Sequence, residues 1–223
     1  MKIEQLAALI DHTLLKPDAT PEQAARICRE ALDNGFAAVC VNPRFVPLAT
    51  AALKGSSVKV CTVIGFPLGA TTTEIKTAEA RQAIQAGASE IDMVLWVGGV
   101  KSRQDEDVRR DISQVAKVCH ESGAILKVIL ETSCLSDEEI VRACQLCMEA
   151  KADFVKTSTG FSSGGATTAV VRLMAETVQS AGLGVKASGG IRNYDDAAAM
   201  IEAGATRLGA SAGVKIIEEA RGK

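Results

Sequence analysis

The sequence predicts an α/β protein folded as a single (β/α)8 TIM barrel, on three observations. Short β-branched runs alternate eight times with longer amphipathic stretches rich in Ala, Glu, Arg and Gln; several of those stretches end in a glycine turn leading straight into the next run; and no Pro- or Ser-rich linker interrupts the 223 residues. Strands short and apolar enough to be covered by helices, each followed by a helix, are the sequence form of a parallel barrel. One domain spanning residues 1–223 is expected, since this length suffices to bury a core and matches what a barrel uses. The alternative is a doubly wound open sheet. That fold more often carries its glycine-rich phosphate turn after the first strand, and no such turn follows Leu15.

The first strand is expected at Leu9–Leu15 and the second at Ala37–Val41. Between them a helical segment stops at Asp33-Asn34-Gly35, where glycine supplies a left-handed helix cap. Val58–Ile64 is the third strand. A helix with Ile84 four residues after Ala80 then runs to Gln85-Ala86-Gly87-Ala88 and into the fourth strand, Glu90–Val97. Val108, Ile112, Val115 and Val118 share one face of the helix before the fifth strand, Ile125–Leu130. Asp153–Thr157 and Gly184–Ala187 follow as sixth and seventh. Glu202-Ala203-Gly204-Ala205 turns the chain into the eighth, Thr206–Gly209.

Composition excludes several classes of function. With 25 basic and 27 acidic residues and 3% aromatic residues, the chain offers neither a basic face nor stacking platforms for nucleic acid. Its longest uncharged stretch, Thr157–Val171, is rich in Ser, Thr and Gly, so no membrane span is expected. Met1-Lys2-Ile3-Glu4-Gln5 lacks the basic-then-apolar order of a secretion signal, and a cytoplasmic location is expected. Seven cysteines without regular spacing, with Cys28, Cys40, Cys61 and Cys119 in apolar surroundings, read as reduced thiols. Cys144 and Cys147 have no second pair to complete a zinc site, so no metal is expected. His12 and His120 lack a partner at ligand spacing. His120 reads as a solvated helix-end residue, and Cys61, Met93 and Trp96 as filling. A small-molecule substrate is the class that remains.

The informative residues are ionisable groups inside apolar strands. Alternation along the fourth strand puts Ile91, Met93 and Leu95 on one face and Asp92, Val94 and Trp96 on the other, which turns Asp92 away from the helices. Lys127, Lys156 and Lys186 interrupt the fifth, sixth and seventh strands in the same way. Neighbouring strands lie about 5 Å apart, so Asp92, Lys127, Lys156 and Lys186 can form one cluster, with Asp11 of the first strand joining across the interior. A lone strand lysine is usually paired or reaches a rim; four charges on successive strands point to chemistry. Three lysines against one or two carboxylates leave excess positive charge in a poorly hydrated place, relieved when one ammonium loses its proton. A neutral amine can attack a carbonyl and form a Schiff base, an electron sink for making or breaking a C–C bond.

On the same side, strands six to eight run into small-residue turns: Thr157-Ser158-Thr159-Gly160, Ser188-Gly189-Gly190-Ile191-Arg192 and Gly209-Ala210-Ser211-Ala212-Gly213. Backbone N–H groups, hydroxyls and a following helix N-terminus make an anion cradle, to which Arg192 adds charge. The substrate inferred is a phosphorylated carbonyl compound.

In Asp11–Lys16, Val60–Gly69, Glu90–Val94, Leu126–Thr132, Phe154–Phe161 and Val185–Arg192, spread over nearly its whole length, the chain resembles the deoxyribose-phosphate aldolases. The resemblance implies a class I aldolase that reversibly cleaves 2-deoxy-D-ribose 5-phosphate into D-glyceraldehyde 3-phosphate and acetaldehyde, with neither metal nor cofactor. It implies Lys156 as the Schiff-base lysine, Lys186 as the charge that keeps it unprotonated, and Asp92 in proton transfer. Gly160, Gly189, Gly190, Arg192 and Ser211 are implied phosphate ligands. Three positions depart from the family pattern: Trp96 replaces a small polar residue and is expected to narrow the lining, Ala212 removes a second serine, and Ala220–Lys223 lacks the terminal tyrosine of some members. A homodimer is expected because barrel enzymes commonly associate. Two other readings share the phosphate cradle, a transaldolase-like or isomerase barrel and a non-catalytic phosphometabolite-binding barrel; release of acetaldehyde separates both from the first.

Overall fold

The computed structural model describes residues 1–222. Eight strands, β1 (Ile10–Leu14), β2 (Ala38–Val41), β3 (Lys59–Ile64), β4 (Glu90–Val94), β5 (Ile125–Ile129), β6 (Phe154–Lys156), β7 (Gly184–Ser188) and β8 (Arg207–Ala210), pair in parallel and in sequence order, and β8 returns onto β1 to close the barrel. The helices are α1 (Ile3–Ala7), α2 (Pro21–Asn34), α3 (Val46–Ala52), α4 (Thr73–Gln85), α5 (Val97–Lys101), α6 (Asp105–Glu121), α7 (Asp137–Glu149), α8 (Thr168–Val178), α9 (Tyr194–Glu202) and α10 (Gly213–Arg221). Lys223, the last residue of the tyrosine-less terminus, lies outside the described residues.

Local chemistry fixes the helix ends. Thr20 accepts from the Gln23 N–H while the Gln23 side chain accepts from the Thr20 N–H at 2.9 Å, and Pro21 pre-sets the first turn of α2. Ser136 and Glu139 form the same reciprocal pair ahead of α7. Such caps contribute about 1 kcal/mol each. Gly35 ends α2 in the left-handed conformation, as expected.

Strand alternation sorts side chains between two layers. Ile91 and Met93 enter the apolar layer under the helices, which also takes Val108, Ile112 and Val115 of α6, all fully buried. Burying each such side chain contributes roughly 1.5–3 kcal/mol. Within the barrel the apolar filling is small, a cluster of Leu15, Ala38, Cys40, Cys61 and Val63. Outside it, Lys76 of α4 and Asp111 of α6 form a second buried ion pair at 2.5 Å.

One element departs from expectation. β4 stops at Val94, not Val97, and Val97 opens α5. Trp96 folds back over Gly98 and Gly99, and a Cβ on Gly99 would lie 2.5 Å from the indole, so the turn is possible because these positions are glycines. Among the described residues no helix is long and apolar enough to cross a membrane.

Candidate active site

Parallel register sets the interior charges side by side. Asp92 pairs in register with Lys127, Lys156 with Lys186, and Lys186 with Arg207. The Lys156 and Lys186 ammonium groups both donate to Asp92 Oδ2, at 2.8 and 2.7 Å, so the two amines share one oxygen. Lys127 donates to Asp92 Oδ1 at 2.9 Å and pairs with Glu90 at 2.5 Å. Lys186 also reaches Asp11 at 2.5 Å, and Arg207 bridges Asp11 and Glu90 at 2.7 and 3.1 Å. Asp11, Asp92, Lys127 and Lys186 are wholly buried, and Lys156 is 3% exposed.

The electrostatics follow from these contacts. Burial works to raise the Asp92 carboxyl, but Lys127, Lys156 and Lys186 outweigh it and hold it well below the usual carboxylate range. Asp11, under the same opposition between burial and the cations Lys186, Lys127 and Arg207, is lowered to about 2. For Lys186 burial favours the neutral amine, yet Asp11 and Asp92 prevail and raise it well above an ordinary lysine. Asp92 likewise raises Lys127 against the effect of burial. With every group ionised, the four cations Lys127, Lys156, Lys186 and Arg207 face the three carboxylates Asp11, Glu90 and Asp92. One positive charge is in excess.

A cavity of about 410 Å³ opens above Lys156 at the carboxyl ends of β6, β7, β8 and β1. Gly160, Gly189, Gly190, Arg192 and Ser211 all line it, together with Thr13, Lys16 and Phe161. Gly189 has φ +85°, and a Cβ there would lie 3.0 Å from the Gly165 Cα, so this wall is bare backbone. The turns are locked to one another. Thr157 Oγ1 donates to the Ser188 carbonyl at 2.9 Å and accepts from the Ser188 N–H at 3.0 Å, and Ser188 Oγ donates to the Ser158 carbonyl at 2.7 Å.

The structure brings Asp92, Lys127, Lys156, Lys186 and Asp11 together as the sequence indicates, and adds three residues that sequence reasoning missed. Glu90 and Arg207 complete the charge cluster; the signal was present, since Glu90 lies two residues before Asp92 on the same strand face. Buried Glu131, at φ 54°, accepts from the Thr159 hydroxyl and anchors the turn that carries Gly160. Two expectations are corrected. Cys61 is not mere filling: its thiol donates to Asp92 Oδ1 at 3.2 Å. Trp96 does not narrow the Lys156 cavity; beyond the end of β4 alternation lapses, and the indole borders a separate recess with Thr71, Gln104 and Arg110. His12, buried, hydrogen-bonds Glu30 at 2.6 Å, and His120 pairs at a helix end with Asp153 at 2.9 Å.

A closed parallel barrel whose ionisable interior opens into a cavity at the strand carboxyl ends defines a TIM-barrel enzyme. The chain belongs to the DeoC/LacD family of aldolases, whose model matches residues 5–219. It is 58% identical over 215 residues to the deoxyribose-phosphate aldolase of Caldanaerobacter subterraneus subsp. tengcongensis, covering 96% of this chain and 93% of that one. It is 56% identical to that of Thermococcus gammatolerans, covering 97% and 96%. Among solved structures, the tetrameric deoxyribose phosphate aldolase from Aeropyrum pernix superposes with a TM-score of 0.93 at 39% identity, covering 99% of this chain and 92% of that one.

Proposed function

We propose that this enzyme is a deoxyribose-phosphate aldolase that reversibly cleaves 2-deoxy-D-ribose 5-phosphate through a Schiff base on Lys156. The observation that carries the reading is the sharing of Asp92 Oδ2 by Lys156 and Lys186 beneath a cavity that Lys156 lines. Lys186, held charged by Asp11 and Asp92, is a like charge on the same carboxylate oxygen as Lys156, and in this reading Lys156 reacts as the neutral amine. That amine adds to the C1 aldehyde of the open-chain sugar. Asp92, within hydrogen-bond reach of both lysines, serves proton transfer as the carbinolamine loses water to form the iminium. The iminium accepts the electrons of the C2–C3 bond as the C3 hydroxyl gives up its proton. D-glyceraldehyde 3-phosphate leaves, and the acetaldehyde enamine is protonated and hydrolysed, freeing the lysine.

Gly160, Gly189, Gly190, Ser211 and Arg192 hold the phosphate through backbone N–H groups, one hydroxyl and one guanidinium. No cofactor takes part, because the lysine itself supplies the electron sink. Seven free thiols suit a reducing cytoplasm, and a homodimer belongs to the same reading. Reduction with borohydride in the presence of acetaldehyde tests the chemistry: N-ethyl-lysine is expected on the peptide carrying Lys156, and an unmodified Lys156 with the adduct elsewhere refutes it.

A further inference from the structure

The interior ion pairs form a closed ring. From Asp92 the contacts run to Lys186, then Asp11, Arg207, Glu90 and Lys127, and back to Asp92, with links of 2.7, 2.5, 2.7, 3.1, 2.5 and 2.9 Å. Three carboxylates alternate with three cations, so the ring is neutral by itself. Lys156 stands outside it. Its one carboxylate contact, Asp92, is already shared by two ring lysines. The surplus charge of the interior therefore falls on Lys156, the one amine of the cluster that lines the cavity.

We infer that Glu90 and Arg207 are positioning residues that set the protonation of Lys156 from the opposite end of the barrel, by making the ring beneath it electrically neutral. This rests on Lys156 being the Schiff-base lysine. Arg207 begins β8 and Glu90 begins β4, at the strand ends remote from the cavity, and neither residue lines it. Neither is ion-paired to Lys156, so their electrostatic influence reaches it through the field of the ring; Arg207 also lies 5.5 Å over the Phe154 ring of β6, a contact that Arg207→Lys and Glu90→Gln help to separate from the charge. In a water-poor interior that field is poorly screened. The other titratable groups facing this space are the Cys40 and Cys61 thiols of β2 and β3 within the barrel, and Lys16, Glu131 and Arg192 around its mouth. His12 is engaged outward with Glu30 of α2.

Because the two residues carry opposite charge, their removal has opposite consequences. Arg207→Met leaves the ring one negative charge in excess and favours the Lys156 ammonium. Glu90→Gln leaves one positive charge in excess and favours the free amine. The test is the pH dependence of Lys156 trapping by acetaldehyde and borohydride, read by mass spectrometry alongside the pH profile of kcat/KM. The midpoint of both profiles should rise on the order of one pH unit in Arg207→Met, fall by a similar amount in Glu90→Gln, and return to the wild-type position in the double variant. Arg207→Lys, which keeps the charge, should keep the wild-type midpoint. Midpoints that stay fixed, or move in the same direction in both single variants, overturn the inference. Where Arg207→Met fails to fold, Glu90→Gln alone decides, an unmoved midpoint counting against the ring. Failure to trap Lys156 in the wild-type enzyme is a different result, and sinks the Schiff-base reading itself.

Discussion

Lys127, Lys156 and Lys186 all point into the barrel from adjacent strands, Lys156 level with Lys186 and Lys127 two residues lower, level with Phe154, and they differ in which carboxylates they touch. Lys186 is held by Asp11 and Asp92, Lys127 by Glu90 and Asp92 with Asp11 at 3.9 Å, and Lys156 by Asp92 alone. In the proposed mechanism the first two stay charged and the third is the amine that reacts. Replacing Lys186 with Leu removes the cation that shares Asp92 Oδ2 with Lys156, so kcat should fall by about 100-fold or more at saturating substrate, while circular dichroism stays native; near-normal kcat would remove Lys186 from the mechanism. These lysines and Asp92 were legible because a charge within an apolar strand run is conspicuous. Glu90, despite its spacing from Asp92, and Arg207 were masked because each opens its strand, where a charged residue usually meets solvent. Glu131 was hidden for another reason. Its role depends on a positive φ and on the hydroxyl of Thr159 from the next strand-to-helix turn, neither of which sequence order reveals.

At the level of elements, the β7–α9 turn presents backbone where a phosphate is proposed to sit. A side chain at Gly189 meets both a positive φ and the Gly165 backbone at 3.0 Å. Gly189→Ala should therefore raise KM for the phosphorylated substrate at least several-fold, with a smaller effect on turnover of an unphosphorylated aldehyde; equal effects on both substrates would argue against a phosphate contact. The α4–α6 contact carries a different liability. Asp111→Ala would strand Lys76, fully buried in the packing of the two helices, and should cost about 3–5 kcal/mol in urea unfolding, whereas a loss below about 1 kcal/mol would show that Lys76 finds another partner. The end of β4 shows where pattern reading fails. Alternation places Trp96 beside Asp92 only while the chain stays extended, and two glycines let it turn under the indole instead.

For the whole molecule, the eight-fold alternation was readable because every strand needs an apolar face under a helix, and that requirement repeats along the sequence. Closure brings the ionic interior with it, and stability should follow the state of its charges. Asp11, lowered from an ordinary carboxylate value to about 2, contributes stability that is present above pH 4 and is lost as the pH falls toward 2, about 2 kcal/mol from this group alone. Asp92, lowered further, acts in the same direction. Lys127 and Lys186, raised above the ordinary lysine value, contribute fully below about pH 10 and lose that contribution only in stronger alkali. Thermal melts should thus hold a plateau through the neutral range with respect to these groups and fall steeply between pH 4 and pH 2. A melting temperature indifferent to that acid interval would mean the interior carboxylates are not ionised partners.

The Arg207–Asp11 hydrogen bond spans 196 residues and ties the last strand to the first. A polypeptide emerging from the ribosome has Asp11, Glu90 and Lys127 synthesised long before Arg207 is made, so any barrel formed from the earlier strands would carry carboxylates that lack their final counter-ion. Completion of β8 is then an electrostatic latch: fragments ending before residue 207 should be unable to settle into a native interior, and should recover it when a peptide carrying β8 and α10 is supplied.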